Sequence, residues 1–277
     1  EILRCLVGSE MCIRDSIYLR ERFGLERRSG EILQPWYKKS RGIKDENVCR
    51  LSMAFEFECE YITPMRLALE TPELFEISLN GHELRAGSEW YVDPCIKIAD
   101  IPDGVVKLGR NTVKLTAHFN DGLNLEALYL LGDFGVRVDG LRRIIQPLPS
   151  KLTAEDVCGQ GLPFYGGVIQ YIIPGNITGK TRVCAHFDGA CLEARSGEQS
   201  GLISFAPYYT ELEAQGQMYL RLYLTRRNTF GPLHMKPAIA FSYGPENFVT
   251  EGDAFDYTGY MLLPAGLREP IKLISSK

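Results

Sequence analysis

The chain has 277 residues, 45% of them hydrophobic and 24% charged, and its 31 basic and 35 acidic residues leave a net charge of −4. No stretch concentrates Lys and Arg, and no apolar run approaches the roughly 20 residues that a membrane-spanning helix needs. Neither nucleic acid nor a membrane is therefore predicted as a partner, and the length allows two domains of ordinary size.

The first sixteen residues differ in character from the rest of the chain. In "CLVGSEMCIRDS", Glu10, Arg14 and Asp15 interrupt every apolar run, so the continuous apolar segment of a secretory signal is missing. Back-translated, residues 6–16 resemble a transposase-type sequencing-library adapter, and "EILRC" fits the index region that precedes such an adapter. We therefore interpret residues 1–16 as translated adapter and expect the native part to be the tail of a longer gene. A genuine N-terminal arm is the alternative.

Residues 17–46 are charged and weakly periodic, which predicts a connector that contains a short helix. From Leu51 the pattern changes: "LSMAFEFECEY" alternates apolar and acidic residues as a half-buried strand does. The segments "RLALE", "FEISLNG", "CIKIADI", "TVKLTAHF" and "LEALYLLGDFGVRV" follow, each bounded by Pro, Gly, Asn or Asp. Short strands separated by turn residues predict an antiparallel β-sandwich over residues 47–146.

A second series of strands begins near Phe164 and consists of "FYGGVIQYIIPG", "TRVCAHF", "ACLEARSG", "LISFAPYYTEL" and "MYLRLYLTRR". Its order parallels the first series: "GVIQYIIPGN" and "TRVCAHF" correspond to "FEFECEYITP" and "MRLALE". This internal correspondence predicts a second β-sandwich over residues 147–277. The predicted fold class is therefore all-β, with two tandem antiparallel β-sandwiches.

The alternation also predicts which residues face the two hydrophobic cores. The inward-facing residues are Phe75, Ile77, Leu79, Val113 and Leu115 in the first sandwich, and Ile203, Phe205, Leu220, Leu222 and Leu224 in the second. Six cysteines follow residue 16 without a CxxC motif or a nearby His at metal-ligand spacing, which argues against a zinc site. Cys59 and Cys184 lie in strand patterns, where a reduced cysteine packs as a small hydrophobic core residue. Reduced cysteines are typical of cytoplasmic proteins, so a cytoplasmic location is slightly favoured.

Several motifs carry a resemblance to a known family. The stretches "LFEISLNGHEL", "WYVDPCIKIADI" and "GRNTVKLT" resemble the galactose-binding-like jelly roll that accompanies many bacterial glycoside hydrolases as a sugar-binding domain. The stretches "GLPFYGG", "APYYTEL", "LYLTRRNTFGPLH" and "YGPENFVTEGDAF" are similar to the C-terminal region of bacterial α-L-rhamnosidase-type glycosidases, and the likeness covers roughly residues 50–270. It implies that the carboxylate pair lies in an upstream barrel domain, which would be a partner of this region. The resemblance implies no cofactor, and whether either sandwich binds a structural calcium ion is an open alternative.

Aromatic side chains beside planar polar groups are typical of sugar sites, and both occur at turn ends here. Trp90 and Tyr91 follow "NGHELRAGSE", and the Phe164-Tyr165 pair precedes two glycines that would let a ligand or another backbone approach closely. "RRNTFGPLH" is either a site rim or a structural corner in which Asn228 bonds the backbone. The predicted carbohydrate-binding residues are Trp90, Tyr91, Phe164, Tyr165, Asn228 and His234, and the alternative is that the aromatic residues pack the sandwiches or an interface.

Glycoside hydrolysis needs two carboxyl groups about 5 to 10 Å apart. Candidate acids near aromatic or glycine-rich turns are Glu126, Asp133, Glu246, Glu251 and Asp253, but the sequence places no two of them opposite one another. No catalytic residue or metal ligand is therefore predicted. The expected function is that of a non-catalytic C-terminal part of a bacterial glycoside hydrolase, with carbohydrate as its partner. The alternatives are an autonomous carbohydrate-binding module and a purely structural packing module.

Overall fold

A computed structural model describes residues 3–6, 11–25, 35–235 and 258–275, and β-strands predominate in them. The helices are short: α1 spans Met11–Arg22, α2 spans Pro35–Arg41, a 3₁₀ turn covers Pro72–Leu74, and α3 spans Arg227–Phe230. None of the helices in these ranges has the length and apolar character required to cross a membrane. The fold class is all-β and the sheets are mainly antiparallel, as predicted.

The strands of the described residues agree with most of the segments predicted from alternation. In chain order they are β1 (Leu3–Leu6), β2 (Cys49–Cys59), β3 (Met65–Glu70), β4 (Glu76–Leu79), β5 (His82–Leu84), β6 (Ala86–Tyr91), β7 (Asp93–Asp100), β8 (Gly109–Phe119), β9 (Tyr129–Gly132), β10 (Gly135–Asp139), β11 (Arg142–Gln146), β12 (Val168–Cys184), β13 (Phe187–Asp188), β14 (Cys191–Ser196), β15 (Gln199–Ile203), β16 (Tyr209–Tyr223), β17 (Gly266–Leu267) and β18 (Lys272–Ser275).

The chain divides into two compact units. The first unit contains Ile2–Pro147 and Phe230–Met261, and the second unit contains Leu148–Thr229 and Leu262–Lys277. The chain passes from the first unit to the second after Pro147 and returns to the first unit at Phe230.

The described residues of the first unit form two sheets. One has five strands in the order β1-β9-β3-β7-β6, and the other has six in the order β10-β11-β2-β8-β4-β5. Neighbouring strands pair antiparallel, except that β11 and β2 are parallel. Strand β1 pairs with β9 at a sheet edge, so part of the segment interpreted as adapter joins the sheet in this structure. The adapter origin of that segment stays a prediction.

The core of the first unit follows the predicted alternation. Ile77, Leu79, Val113 and Leu115 are buried, which confirms these predictions, whereas Phe75 is half-buried. Their polar strand neighbours point to solvent, because successive side chains of a strand lie on opposite faces of the sheet. Burial of a single leucine side chain contributes about 2 kcal/mol to folding.

Ion pairs tie the two N-terminal helices to the loop after β8. Arg20 of α1 is fully buried and donates to the carboxylate of Asp121. Lys38 of α2 donates to the same carboxylate and, at 2.7 Å, to Asp45. Asp121 therefore accepts hydrogen bonds from both helices, and this charge cluster holds the helical segment on the sheet.

The second unit has a five-stranded sheet in the order β15-β14-β16-β12-β18 and a two-stranded sheet formed by β13 and β17. Ile203, Leu220, Leu222 and Leu224 are buried, as predicted. The prediction for Phe205 is wrong, because this side chain is 76% exposed. Phe205 lies between β15 and β16, where the strand alternation is interrupted and no longer determines the direction of a side chain.

One predicted turn of the second unit is a bulge. The sequence segments "FYGGVIQYIIPG" and "TRVCAHF" predict two separate strands around Pro174-Gly175, but residues 168–184 form the single strand β12. The register of β12 on β16 shifts between Ile173 and Asn176, and Gly175 has a φ of 89°. A bulge accommodates Pro174, which has no N–H for the ladder. The predicted correspondence with β2 and β3 therefore fails here, since those two strands lie in different sheets.

Candidate functional site

A pocket of about 490 Å³ in the second unit brings two of the predicted site residues together. We call it the Tyr165 pocket. It lies where the ends of β12, β13, β16 and β17 meet, and its volume is in the range of small-molecule sites. Its polar and aromatic lining side chains are Tyr165, Asp188, Thr225, Arg227, Asn228 and Arg268.

An ion pair on one side of the Tyr165 pocket depends on the pairing of β13 with β17. This pairing places Asp188 opposite Gly266, two residues before Arg268. Arg268 then donates to both carboxylate oxygens of Asp188, with its Nε 2.9 Å from Oδ2. The hydrogen bond and charge of Asp188 raise the pKa of Arg268, so its guanidinium stays cationic.

Residues 263–265 form the floor of the pocket, and side-chain hydrogen bonds hold their main chain in place. Asn228 accepts from the N–H of Leu263 at 2.9 Å and donates to its carbonyl at 2.7 Å. Asp156 accepts from the N–H of Ala265 at 3.0 Å. The carbonyl of Ala265 accepts from the N–H of Val157 at 2.7 Å. Asn228 therefore has the backbone-bonding geometry of the structural corner, and its amide shapes the pocket through Leu263.

Cys158 lies behind Asn228 in the second unit. The Nδ2 of Asn228 is 3.4 Å from the Sγ of Cys158. Burial is the main cause that raises the pKa of Cys158 to about 12. The thiol is therefore neutral at physiological pH, which suits a packed position beside the pocket floor.

Tyr165 forms the aromatic wall of the pocket, and the two glycines that follow it permit its position. A Cβ added at Gly167 would lie 2.5 Å from Cζ of Tyr165, and one at Gly166 would lie 2.7 Å from Cγ of Arg226. The close approach that the sequence predicted at these glycines is thus made by side chains of the protein itself. The hydroxyl of Tyr165 donates to the carbonyl of Val168 at 3.1 Å and fixes the half-buried ring.

A second cleft, of about 920 Å³, lies in the first unit beside the β4–β5 hairpin, and we call it the hairpin cleft. Its charged lining side chains are Arg50, Glu73, Glu76, Glu83, Arg85, Lys97 and Lys114. Arg50 and Glu76 are ion-paired at 3.0 Å. The predicted site residue Trp90 is 52% exposed and lies directly across from Lys97 on the neighbouring strand. Trp90 therefore stands next to one wall of this cleft.

Three other predicted site residues are buried. Tyr91 is 2% exposed and stacks on Phe230 with the ring centroids 6.1 Å apart. Phe164 is 1% exposed, and its carbonyl accepts from the hydroxyl of Thr229 at 2.8 Å. His234 is 2% exposed, and its Nδ1 lies 2.8 Å from the carbonyl of Gly259. In this structure these three rings pack inside their units and present no open face.

The two candidate acids that the structure describes, Glu126 and Asp133, line neither cleft. Asp133 is exposed on a turn, and Glu126 borders a cavity of only about 10 Å³, which cannot hold a sugar ring. Glu246, Glu251 and Asp253 lie outside the described residues. In the part of the chain that the structure describes, no group of three or more His, Cys, Asp or Glu side chains is arranged to hold a metal ion. These side chains therefore provide no ligand set for the structural calcium ion that the family resemblance makes conceivable.

In comparisons with known proteins, no family model matches the chain and no characterised protein matches it significantly. The candidate site therefore depends on its own geometry and on the sequence motifs. Sequence reasoning missed Asp188, Arg227 and Arg268 in the Tyr165 pocket. Arg227 stands next to the predicted Asn228, but Asp188 and Arg268 are 80 residues apart. No sequence signal connects these two residues, because only the pairing of β13 with β17 brings them together.

Proposed function

We propose that this chain is a non-catalytic, carbohydrate-binding region of a bacterial glycoside hydrolase and that the Tyr165 pocket is its sugar site. The observation that carries the proposal is the combination, in one pocket, of an aromatic wall, an amide-supported floor and a bidentate ion pair. A pyranose ring has apolar C–H faces that pack on aromatic rings, and hydroxyl groups that bond to carboxylate and guanidinium groups. The motifs "GLPFYGG" and "LYLTRRNTFGPLH", which resemble glycosidase C-terminal regions, supply Tyr165 and the Arg227-Asn228 pair.

The proposal includes a jelly-roll sandwich arrangement for the first unit. A small cavity supports it, since Leu69 of the five-stranded sheet and both Met53 and Leu115 of the six-stranded sheet line the same space. Side chains from two sheets that meet in this way are typical of a two-layer core. In the assembled hydrolase the two units would support or extend the substrate cleft of the catalytic domain.

Calorimetric titration of the full chain with a panel of mono- and oligosaccharides tests the proposed sugar site. Tyr165→Ala is expected to weaken binding by about tenfold or more, because the stacking surface is lost. Tyr165→Phe keeps the ring and should retain affinity. Circular dichroism of each variant verifies that the fold is intact. Absence of binding to every sugar in the panel would overturn the proposal.

Trp90→Ala is the matched variant in the hairpin cleft. It also removes an aromatic side chain, but from a position that does not line the Tyr165 pocket. We expect it to leave sugar affinity unchanged. If Trp90→Ala abolishes binding and Tyr165→Ala does not, the hairpin cleft is the site and the assignment to Tyr165 is wrong.

A packing role is a second candidate, and exposed apolar side chains in the second unit favour it. Leu202 is 58% exposed and Phe205 is 76% exposed, and both lie at the end of β15. Exposed apolar groups that lie close together can mark a surface that another protein domain covers. This function predicts no sugar binding, and it predicts that Leu202→Ser with Phe205→Ser lowers binding of a hydrophobic dye.

A further inference from the structure

We infer that the ligand of the Tyr165 pocket is the end of an oligosaccharide, whose further sugar units lie on the outer face of the five-stranded sheet of the second unit. This inference rests on the proposed function, because it assigns a substrate class to the same site. The observation behind it is that strand β16 leads from the outer face of the sheet directly to the lining of the pocket.

Three side chains of β16 form the centre of this outer face, and we call them the β16 track: Tyr219, Arg221 and Tyr223. Leu220 and Leu222, which alternate with them, are fully buried in the core. Because successive side chains of a strand lie on opposite faces of the sheet, the track lies on the face away from the core. Its three side chains are half-buried, so part of each is open to a ligand.

The β16 track ends at the Tyr165 pocket. Tyr223 lies opposite Cys191 at the end of the pairing between β16 and β14. Thr225, two residues after Tyr223, and Gly189, two residues before Cys191, both line the pocket. The carbonyl of Tyr223 accepts from the N–H of Ala190 at 2.7 Å, so backbone pairing continues up to the pocket. The outer face and the pocket are therefore contiguous along both strands.

The polar side chains of this face hold one another in place. Arg221 donates from Nε to the side-chain oxygen of Gln170 at 3.0 Å, and the hydroxyl of Tyr223 donates to Glu193 at 3.2 Å. Glu193 is also 3.4 Å from the Nε of Arg195. Since these contacts fix the side chains before a ligand arrives, less conformational entropy is lost on binding. Guanidinium, amide and carboxylate groups bond to sugar hydroxyl groups through their remaining donor and acceptor positions, and tyrosine rings provide apolar area for the sugar rings.

The length of the track favours a chain of sugars over a single sugar. Tyr219 and Tyr223 are four residues apart in one strand, which is about 13 Å at the rise of an extended chain. A single sugar ring is shorter than this distance, so only several linked rings contact the pocket and both tyrosines together. Ile172, which lies opposite Tyr219, is 63% exposed. The face is therefore open at the end far from the pocket, where a longer chain would continue.

The experiment measures how affinity depends on the length of the sugar. The full chain is titrated calorimetrically with three series: glucose to cellohexaose, xylose to xylohexaose, and galactose to galactotetraose. In the series that binds, we expect the tetrasaccharide to bind about tenfold or more tightly than the monosaccharide, or to be the shortest sugar with measurable binding. Equal affinity for monosaccharide and tetrasaccharide would overturn this inference and leave the proposed sugar site standing. Absence of binding to every sugar of the three series would overturn the inference together with the proposed function.

Variants of β16 locate the effect. Tyr219→Ala should weaken binding of the tetrasaccharide by about fivefold or more and leave binding of a monosaccharide unchanged. Tyr219→Phe keeps the ring and should preserve the dependence on length. Tyr209→Ala is the matched control, because Tyr209 is an exposed tyrosine at the other end of the same strand. Circular dichroism verifies the fold of each variant. If affinity rises with sugar length but Tyr219→Ala leaves this rise unchanged, or if only Tyr209→Ala removes it, the sugar chain does not follow the β16 track and the inference is wrong.

Discussion

Replacement of Asn228 by Ala should destabilise the second unit, because this side chain closes a two-bond ring with the main chain of Leu263. The side chain is 6% exposed, and the two bonds are 2.9 Å and 2.7 Å long. An unsatisfied buried backbone group costs about 1 to 3 kcal/mol. Leu263 is only half-buried, and its carbonyl also lies 3.6 Å from the thiol of Cys158, so part of this cost is recovered. We therefore expect a loss of about 2 kcal/mol, which is roughly a thirtyfold change in an equilibrium constant.

Hydrogen exchange measured by mass spectrometry is the appropriate assay. The two tryptophans of the chain, Trp36 and Trp90, both belong to the first unit, so tryptophan fluorescence reports mainly on that unit. In Asn228→Ala the backbone amide of Leu263 should exchange about thirtyfold faster than in the unmodified chain. The urea midpoint measured by far-ultraviolet circular dichroism should fall in parallel.

Asn120→Ala is the matched control. Asn120 also accepts from a backbone N–H, that of Gly122, at 3.0 Å, but its hydrogen bonds lie at the surface, where water replaces a lost partner. We expect a change within about 0.5 kcal/mol. If Asn228→Ala leaves both the protection of Leu263 and the urea midpoint unchanged, the corner does not stabilise the unit and the reasoning from its hydrogen bonds is wrong.

Three further outcomes can be measured. Leu220→Ala should cost about 2 to 5 kcal/mol in urea unfolding, because the side chain is fully buried, whereas Phe205→Ala, at 76% exposed, should change stability by less than about 0.5 kcal/mol. Burial raises the pKa of Asp121, but the hydrogen bond from Lys38 and a neighbouring arginine outweigh it and hold that pKa below its ordinary value. A carboxylate with a lowered pKa stabilises the fold above the unfolded pKa of about 3.9, and this stabilisation is lost as the pH falls through the folded value. Asp121→Asn should therefore lower the urea midpoint at pH 7. The difference in urea midpoint between the variant and the unmodified chain should become smaller below about pH 4. A difference in midpoint that stays constant from pH 2 to 7 would contradict this reasoning. The pKa of about 12 predicts that Cys158 reacts with iodoacetamide at pH 8 at least about tenfold more slowly in the native chain than in urea, as mass spectrometry can quantify.

The sequence by itself determined most strands and most of the core. The alternation in β2, β8 and β16 repeats every two residues, and this period alone assigns each side chain to one face of a sheet. That is why the inward prediction is correct for Leu79 and Val113, and for Leu220 in the second unit. It is also why an all-β class could be predicted without any knowledge of strand order.

The tertiary structure decided which strands pair and therefore which distant residues meet. The Pro174-Gly175 dipeptide is a turn signal in sequence, but the pairing of β12 with β16 on both sides converts it into a bulge. Phe205 has the character of a core residue, yet it lies where the alternation is interrupted and is exposed. Asp188 and Arg268 form one wall of the Tyr165 pocket only because β13 pairs with β17. Local periodicity fixes the face of a residue, whereas the neighbour on that face depends on long-range pairing, which no local pattern encodes.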